Sequence, residues 1–165
     1  MKKMTAILLA LTILCCAAVS VSAAETTEAS VPVVLTVINT EKPLNVTVPA
    51  SMPVSVVDGY VVCANNAKIT NHGAGSVRIT KINVQPGSFA IGDFENFAAT
   101  ENAVALNING CPTKGAGLLS LTDTAFPVIS PDSSLPIIYK AKVCAKAPVT
   151  KENAATVIFT IAAAD

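Results

Sequence analysis

The sequence predicts an all-β protein, an antiparallel β-sandwich of the jelly-roll or immunoglobulin-like type, in a single domain. Short runs rich in Val, Ile and Thr recur along the chain, and Gly, Pro, Asn and Asp separate them. No segment combines the length of a helix with a helical periodicity of its apolar residues. The densest strand and turn signals lie in Asn45–Thr80. Together these patterns favour packed sheets over a helical or mixed fold.

This dense segment contains a tight hairpin. Pro53–Val57 and Tyr60–Cys63 are apolar runs rich in β-branched residues, and only Asp58-Gly59 separates them. The dipeptide tolerates the positive φ angles of a type I′ turn, so we expect the two runs to pair. Prolines lie just ahead of the hairpin, where a missing backbone donor fits an edge or a strand start. We therefore interpret Pro49–Pro53 as a corner between sheets.

A glycine-rich turn at His72–Gly75 is followed by a predicted strand at Val77–Val84. The apolar residues of this strand change from one alternation to the other partway along it. Val77 and Ile79 share one face, whereas Ile82 and Val84 share the other. One extra residue reverses the alternation, so a bulge near Thr80-Lys81 would return all the apolar residues to one face. We therefore predict one long strand that contains a β-bulge.

The first strand predicted, Val31–Asn39, is apolar on both alternations and carries no charged residue. Such a strand suits the centre of a sandwich, where both faces are covered. It equally suits strand addition to a neighbouring copy or partner, because charge commonly protects edge strands. Both interpretations stay open at this point. Further strands are predicted at Leu44–Val48, Ala67–Asn71, Val104–Ile108, Leu118–Leu121, Ile137–Cys144 and Thr156–Ile161, with a proline-punctuated connection at Phe126–Pro136.

The N-terminal residues have the layout of a secretory signal peptide. Two lysines precede an apolar run, Ala6–Val19, and small residues follow it at Ala23-Ala24. The run is shorter than the roughly 20 residues that span a bilayer, so cleavage is favoured over a membrane anchor. We expect a signal peptide at 1–23, a flexible lead at 24–30 and the domain at 31–165. The localisation that we expect is secreted, either extracellular or held non-covalently at the cell surface.

The processed chain is predicted to be faintly acidic. Removing Lys2 and Lys3 from the eleven basic residues leaves nine, against eleven acidic residues. Nucleic acids and anionic membrane surfaces attract clustered basic residues, and the sequence has no such cluster. We therefore expect no nucleic-acid partner, and no membrane partner after signal cleavage.

No reactive constellation is evident, so we expect no enzymatic activity, no catalytic residue, no cofactor and no metal site. His72 is the only histidine, and it lies in a glycine-rich turn, where a solvated residue is more common than a base. The chain contains neither the HExxH pattern of zincin metalloproteases nor the Gly-x-Ser-x-Gly pattern of α/β-hydrolases. Asp93 and Glu95 lack EF-hand spacing, so a solvated acidic loop is the simpler interpretation.

Cys63, Cys111 and Cys144 remain after the predicted signal peptide. Because this number is odd, at least one thiol must stay single or pair outside the domain. Buried, reduced cysteines are one interpretation. If a disulfide forms, we favour Cys63 with Cys144, since both end Val-rich strands, and we expect Cys111 to be exposed.

Phe89, Ile91, Phe94 and Phe97 lie close together in the sequence and form a candidate ligand or partner surface. The alternative is packing, in which Phe89 and Ile91 point into the core while Phe94 and Phe97 cover the end of a sheet. A contiguous exposed apolar patch would distinguish a ligand surface from packing.

Four motifs stand along most of the processed chain: TVPxSxP at Thr47–Pro53, the Asp58-Gly59 hairpin turn, NAKIxN at Asn66–Asn71 and VxFTI at Val157–Ile161. In these motifs the sequence resembles small secreted single-module surface proteins of Gram-positive anaerobes. It is more distantly similar to camelysin-like biofilm fibre proteins and to WxL-type wall-binding domains. The chain has no Trp, and Phe89-Ala90-Ile91 stands where the WxL motif would align.

The resemblance implies a role at the cell surface or in the extracellular matrix, such as adhesion or biofilm structure. We expect a non-enzymatic structural protein that associates with copies of itself, through edge strands, or with other surface proteins. The alternative is a binding module that recognises cell-wall polymer, carbohydrate or a host protein.

Overall fold

The computed structural model describes residues 27–37, 44–98, 102–145 and 151–164. Every regular element in these ranges is a β-strand, which confirms the all-β class. No helix in the described ranges is long and apolar enough to cross a membrane. The predicted signal peptide lies outside these ranges. The strands are β1 (Thr27–Val37), β2 (Val46–Thr47), β3 (Ser51–Val57), β4 (Tyr60–Cys63), β5 (Lys68–Asn71), β6 (Val77–Pro86), β7 (Ala90–Ile91), β8 (Ala103–Ile108), β9 (Cys111–Pro112), β10 (Gly117–Leu118), β11 (Ser134–Pro136), β12 (Tyr139–Cys144), β13 (Glu152–Asn153) and β14 (Ala155–Ala163).

The largest sheet is organised around β1. This seven-stranded sheet has the order β10-β6-β14-β1-β3-β4, and β13 also pairs with β1. Thr27–Pro32 of β1 runs antiparallel to β3, whereas Val33–Val37 runs parallel to β14. Of the two interpretations of this strand, the structure therefore shows the one in which β1 lies inside its own domain.

The start of β1 and the direction of several strand pairs differ from the sequence prediction. The strand begins at Thr27, inside the predicted flexible lead, because Thr27–Ser30 pairs with β3. The sheets are also mixed rather than purely antiparallel, since β1 runs parallel to β13 and β14, and β7 runs parallel to β8. Parallel pairing is open to β1 and β14 because no tight hairpin joins two strands so distant in the sequence. Residues 38 and 39 of the predicted strand lie outside the described residues.

The predicted β-bulge is confirmed in β6. Thr160 of β14 pairs with Lys81 and the next residue, Ile161, pairs with Ile79, so Thr80 is the extra residue. The Thr80 hydroxyl donates to the Thr160 carbonyl at 3.2 Å. The bulge thus brings both halves of the strand to the core. All four apolar residues of the alternation are buried: Val77, Ile79, Ile82 and Val84.

Two smaller sheets complete the described fold. One has the order β11-β5-β2, and the other has the order β12-β8-β7 with β9 beside β8. The chain leaves the three-stranded sheet after β2 and enters the seven-stranded sheet at β3, so the predicted corner is present at Pro49. It is shorter than the predicted Pro49–Pro53, because Ser51–Pro53 already pairs with β1 as part of β3. A single hydrophobic cluster contains residues from all three sheets, among them Phe159, Ile69 and Leu106.

Candidate functional site at the edge strand β4

β3 and β4 form the predicted hairpin. Asp58 and Gly59 have φ angles of 51° and 80°, as a type I′ turn requires, and Val57 pairs with Tyr60 across the turn. The hairpin prediction is therefore confirmed. Since the turn has only two residues, the register of the whole hairpin follows from it.

β4 ends the seven-stranded sheet and exposes large apolar side chains. Tyr60 is 76% exposed, Val61 36% and Val62 52%. Tyr60 lies opposite Val57, and Val62 lies opposite Ser55, so these four residues share the face of the hairpin that is turned away from Val54 and the core. Tyr60, Val62 and Val57 therefore form an apolar patch on this outer face.

The edge is short, but it lacks other protections that sheet edges commonly carry. No residue of β4 is charged or is a proline, and the pairing of β3 with β4 shows no register shift. Charged side chains, prolines and bulges are the usual means by which proteins prevent edge-to-edge association. β4 is therefore open to pairing with another strand.

The base of the hairpin is held by β12 of the four-stranded sheet. The Tyr139 hydroxyl donates to the Pro53 carbonyl at 2.6 Å and accepts a hydrogen bond from the Ala64 N–H at 3.1 Å. Tyr139 is buried, and this burial, opposed in part by the Ala64 N–H, raises the pKa of its hydroxyl to about 12. The open part of the edge is therefore Tyr60–Val62. The Asp58-Gly59 turn ends it on one side, and the contact with β12 ends it on the other.

The three cysteines occupy different environments. The half-buried Cys63 is a thiol; its burial raises its pKa, and the backbone N–H of Ala141 in β12 partly offsets this effect. Cys144 ends β12 at a half-buried position, and a disulfide between it and Cys63 stays a prediction. Our expectation that Cys111 is exposed is wrong. The two-residue turn Asn109-Gly110 pairs Cys111 with Ile108, which leaves Cys111 only 4% exposed.

The candidate surface at residues 89–97 is divided between the core and a sheet face. Phe89 is 1% exposed and belongs to the core cluster, and Ile91 packs against the same cluster. The Phe97 ring lies 2.9 Å from the position that a Cβ atom at Gly92 would occupy, so it covers this strand end closely. Phe94 is half-buried. This placement agrees with packing, while a ligand role for the four residues stays a prediction.

A lysine and a turn fix the loop that contains Phe94. The Lys142 ammonium donates to the Phe94 carbonyl at 2.6 Å and lies 4.8 Å from the centre of the Phe94 ring. The Asp93 carboxylate accepts hydrogen bonds from the N–H groups of Glu95 and Asn96, and the Asn96 bond is the main reason that its pKa is lowered. These contacts give the loop a structural explanation without a ligand.

His72 and the acidic residues do not form a metal site among the described residues. The His72 side chain is exposed, and its Nε2 atom lies 3.0 Å from the Thr47 hydroxyl. In the part of the chain that the structure describes, no three His, Cys, Asp or Glu side chains lie close enough together to hold a metal ion.

A cleft beside the Asn109-Gly110 turn offers a second candidate site. It has a volume of about 500 Å³, and its lining includes Ile138, which is 67% exposed, and the Lys140 side chain. Asn109 forms part of the wall but is engaged internally. Its side chain donates to the Ala125 and Pro136 carbonyls and accepts from the Ile138 N–H. The lining also includes Asn107 and Thr124, so the groups left for a ligand are an apolar side chain, an ammonium group, an amide and a hydroxyl.

Neither candidate site was identified from the sequence. The uncharged run Tyr60–Cys63 was visible, but its position at the end of a sheet depends on the order of the strands.

Comparisons with protein-family models, curated proteins and solved structures give no match. The resemblance to camelysin-like and WxL-type proteins therefore stays a prediction.

Proposed function

We propose that this protein is a non-enzymatic structural component of a cell surface or extracellular matrix, which associates with copies of itself through the edge strand β4. In this proposal the signal peptide at residues 1–23 exports the chain, and the sheets pack as a sandwich around their shared core. The protein is then secreted and either released or held non-covalently at the surface.

The exposed, uncharged edge carries the proposal. A solvent-exposed strand with large apolar side chains is an aggregation liability in a protein that must stay monomeric. In a protein whose role is assembly, the same strand supplies both backbone hydrogen bonds and apolar contact area. The firm attachment of the hairpin base at Tyr139 supports this role, because a preorganised strand loses less conformational entropy on pairing.

Light scattering tests the proposal by measuring the mass of the processed chain, residues 24–165, over a range of concentrations. We expect the mass to rise with concentration and Val62→Lys to keep the protein monomeric. Ile138→Lys is the matched control, because Ile138 is similarly exposed but lies at the other candidate site. Equal behaviour of the two variants, or a wild-type protein that is monomeric throughout, would contradict assembly through β4.

The cleft beside Asn109-Gly110 favours the alternative function, a module that binds wall polymer, carbohydrate or a host protein. The exposed Ile138 and the Lys140 ammonium suit a ligand that combines an apolar surface with an anionic group. Sedimentation of the protein with purified cell walls tests this function. A loss of binding in Ile138→Lys, with binding retained in Val62→Lys, would support the cleft over the edge.

A further inference from the structure

We infer that β4 pairs with β4 of a second copy about a two-fold axis through Val61, so that two copies form one continuous sheet. This inference rests on the proposed function and specifies the partner, the symmetry and the register of the contact. It follows from the backbone geometry of the hairpin, the limits of its accessible edge and its lack of charge.

The hairpin directs the free backbone groups of Val61 outward. In a hairpin with a two-residue turn, the pair that flanks the turn exchanges hydrogen bonds, which here is Val57 with Tyr60. The next pair, Val56 with Val61, is therefore a non-hydrogen-bonded pair. The N–H and C=O of Val61 consequently point away from β3. Among the described residues, no backbone group outside the hairpin bonds to them.

The accessible edge ends just after Val62. From Cys63 onward, β12 packs against the hairpin: the Cys63 thiol lies against the Ala141 backbone, and the Tyr139 hydroxyl bonds to Pro53 and Ala64 at the base. On the other side, the Asp58-Gly59 turn ends the strand. Val61 is thus the middle of the open edge and the one residue in it with outward-facing backbone groups.

A two-fold axis through Val61 satisfies these groups. Val61 of each copy then lies opposite Val61 of the other, and the pair exchanges both of its N–H···O=C bonds. Tyr60 lies opposite Val62 of the second copy on the outer face, and aromatic side chains pair favourably with β-branched ones across antiparallel strands. The apolar patches of the two copies therefore join into one.

The charge distribution favours a second copy as the occupant. A two-fold contact between identical strands brings a charged residue close to its own copy when it lies near the axis, and such a like-charge pair destabilises a sheet. Tyr60–Cys63 has no charged residue, and the carboxylate of the turn, Asp58, would lie opposite Ala64 of the second copy. Because the paired edge is short, it buries less area than a standard stable interface, so we expect a reversible association that depends on concentration.

Cysteine substitutions at the outer face test the register. Tyr60→Cys and Val62→Cys chains, each in a background of Cys63→Ala and Cys144→Ala, are mixed and oxidised with diamide. Opposite residues of a non-hydrogen-bonded pair have Cα atoms about 4.5 Å apart, within the range of a disulfide, whereas diagonal positions are about 7–8 Å apart. We therefore expect linked dimers from the mixture and little linkage from either variant alone.

A proline substitution tests the backbone contact independently. Val61→Pro removes an outward N–H that β3 does not use, so the thermal unfolding of the monomer should change little. Since both copies lose a hydrogen bond, the dissociation constant of the dimer should rise about tenfold or more. Val61→Ala, which keeps the N–H, is the control and should retain the dimer.

The outcomes separate this inference from the function on which it rests. Efficient linkage of Val62→Cys by itself would mean that the register is shifted, and growth beyond the dimer would mean that the contact is not a closed two-fold pair. Either result overturns the inference and leaves self-association in place. A protein that is monomeric at all concentrations removes both. A linked mixture together with a weakened Val61→Pro dimer supports the inference.

Discussion

The Tyr139 hydroxyl offers a direct measure of what holds the edge hairpin to the rest of the domain. Tyr139→Phe keeps the buried ring but removes the bonds to the Pro53 carbonyl and from the Ala64 N–H, at 2.6 Å and 3.1 Å. The Ala64 N–H also donates to the Pro53 carbonyl at 3.4 Å, so both groups keep a partner, and each bond lost with the hydroxyl costs about 0.5–1.5 kcal/mol. We therefore expect the free energy of unfolding to fall by about 1–3 kcal/mol.

Urea unfolding of the two proteins measures this difference. Tyr60→Phe is the matched control, because it removes the same hydroxyl from a side chain that is 76% exposed and makes no hydrogen bond through that hydroxyl to any described residue. This control should change stability by less than about 0.5 kcal/mol. If Tyr139→Phe is as stable as the control, the hydroxyl does not link the hairpin to β12 and the reasoning is wrong.

The same hydroxyl predicts how stability depends on alkaline pH. Burial raises the pKa of Tyr139 to about 12 in the folded protein, above the value of about 10 of an unfolded tyrosine. Between about pH 10 and 12, the Tyr139 hydroxyl keeps its proton in the folded protein but loses it in the unfolded chain. The stabilisation that this hydroxyl contributes is therefore complete below pH 10 and is lost between about pH 10 and 12. Urea midpoints measured from pH 8 to 11 should fall less steeply in Tyr139→Phe than in the wild type. Parallel curves would refute this assignment.

Two further substitutions and one deletion test the local structure. Gly59→Val should cost roughly 1–2 kcal/mol because Gly59 has a φ of 80°, whereas Gly75→Val, in open space, should cost less in the same thermal melt. Deletion of the bulge residue Thr80 should leave a folded protein, since the remaining alternation still turns the apolar residues of β6 inward. Deletion of Asn83 should unfold the protein, because it reverses the face of the residues that follow; circular dichroism would report both outcomes. Asn71→Asp should destabilise the domain by about 1–3 kcal/mol in urea, because a buried carboxylate would face the Gly75 and Ile129 carbonyls to which the amide now donates; an unchanged midpoint would exclude this account.

Short-range patterns in the sequence were sufficient for several elements of the fold. The Asp58-Gly59 turn, the bulge at Thr80 and the strand Val104–Ile108 each follow from a few neighbouring residues. A turn dipeptide constrains its own φ angles, and an alternation shows which residues share a face. These properties need no knowledge of the partner strand.

The sequence by itself determined the all-β class, the positions of most strands and the buried face of β6. Tertiary structure alone decided that β1 runs parallel to β14, that Cys111 is buried and that β4 ends a sheet and exposes Tyr60. The physical reason is that the order of strands depends on pairings between residues distant in the chain, whose free energies are shared among many contacts. The apolar run Tyr60–Cys63 would read the same in the centre of a sheet, and only its place at the end makes it a candidate site for a second copy.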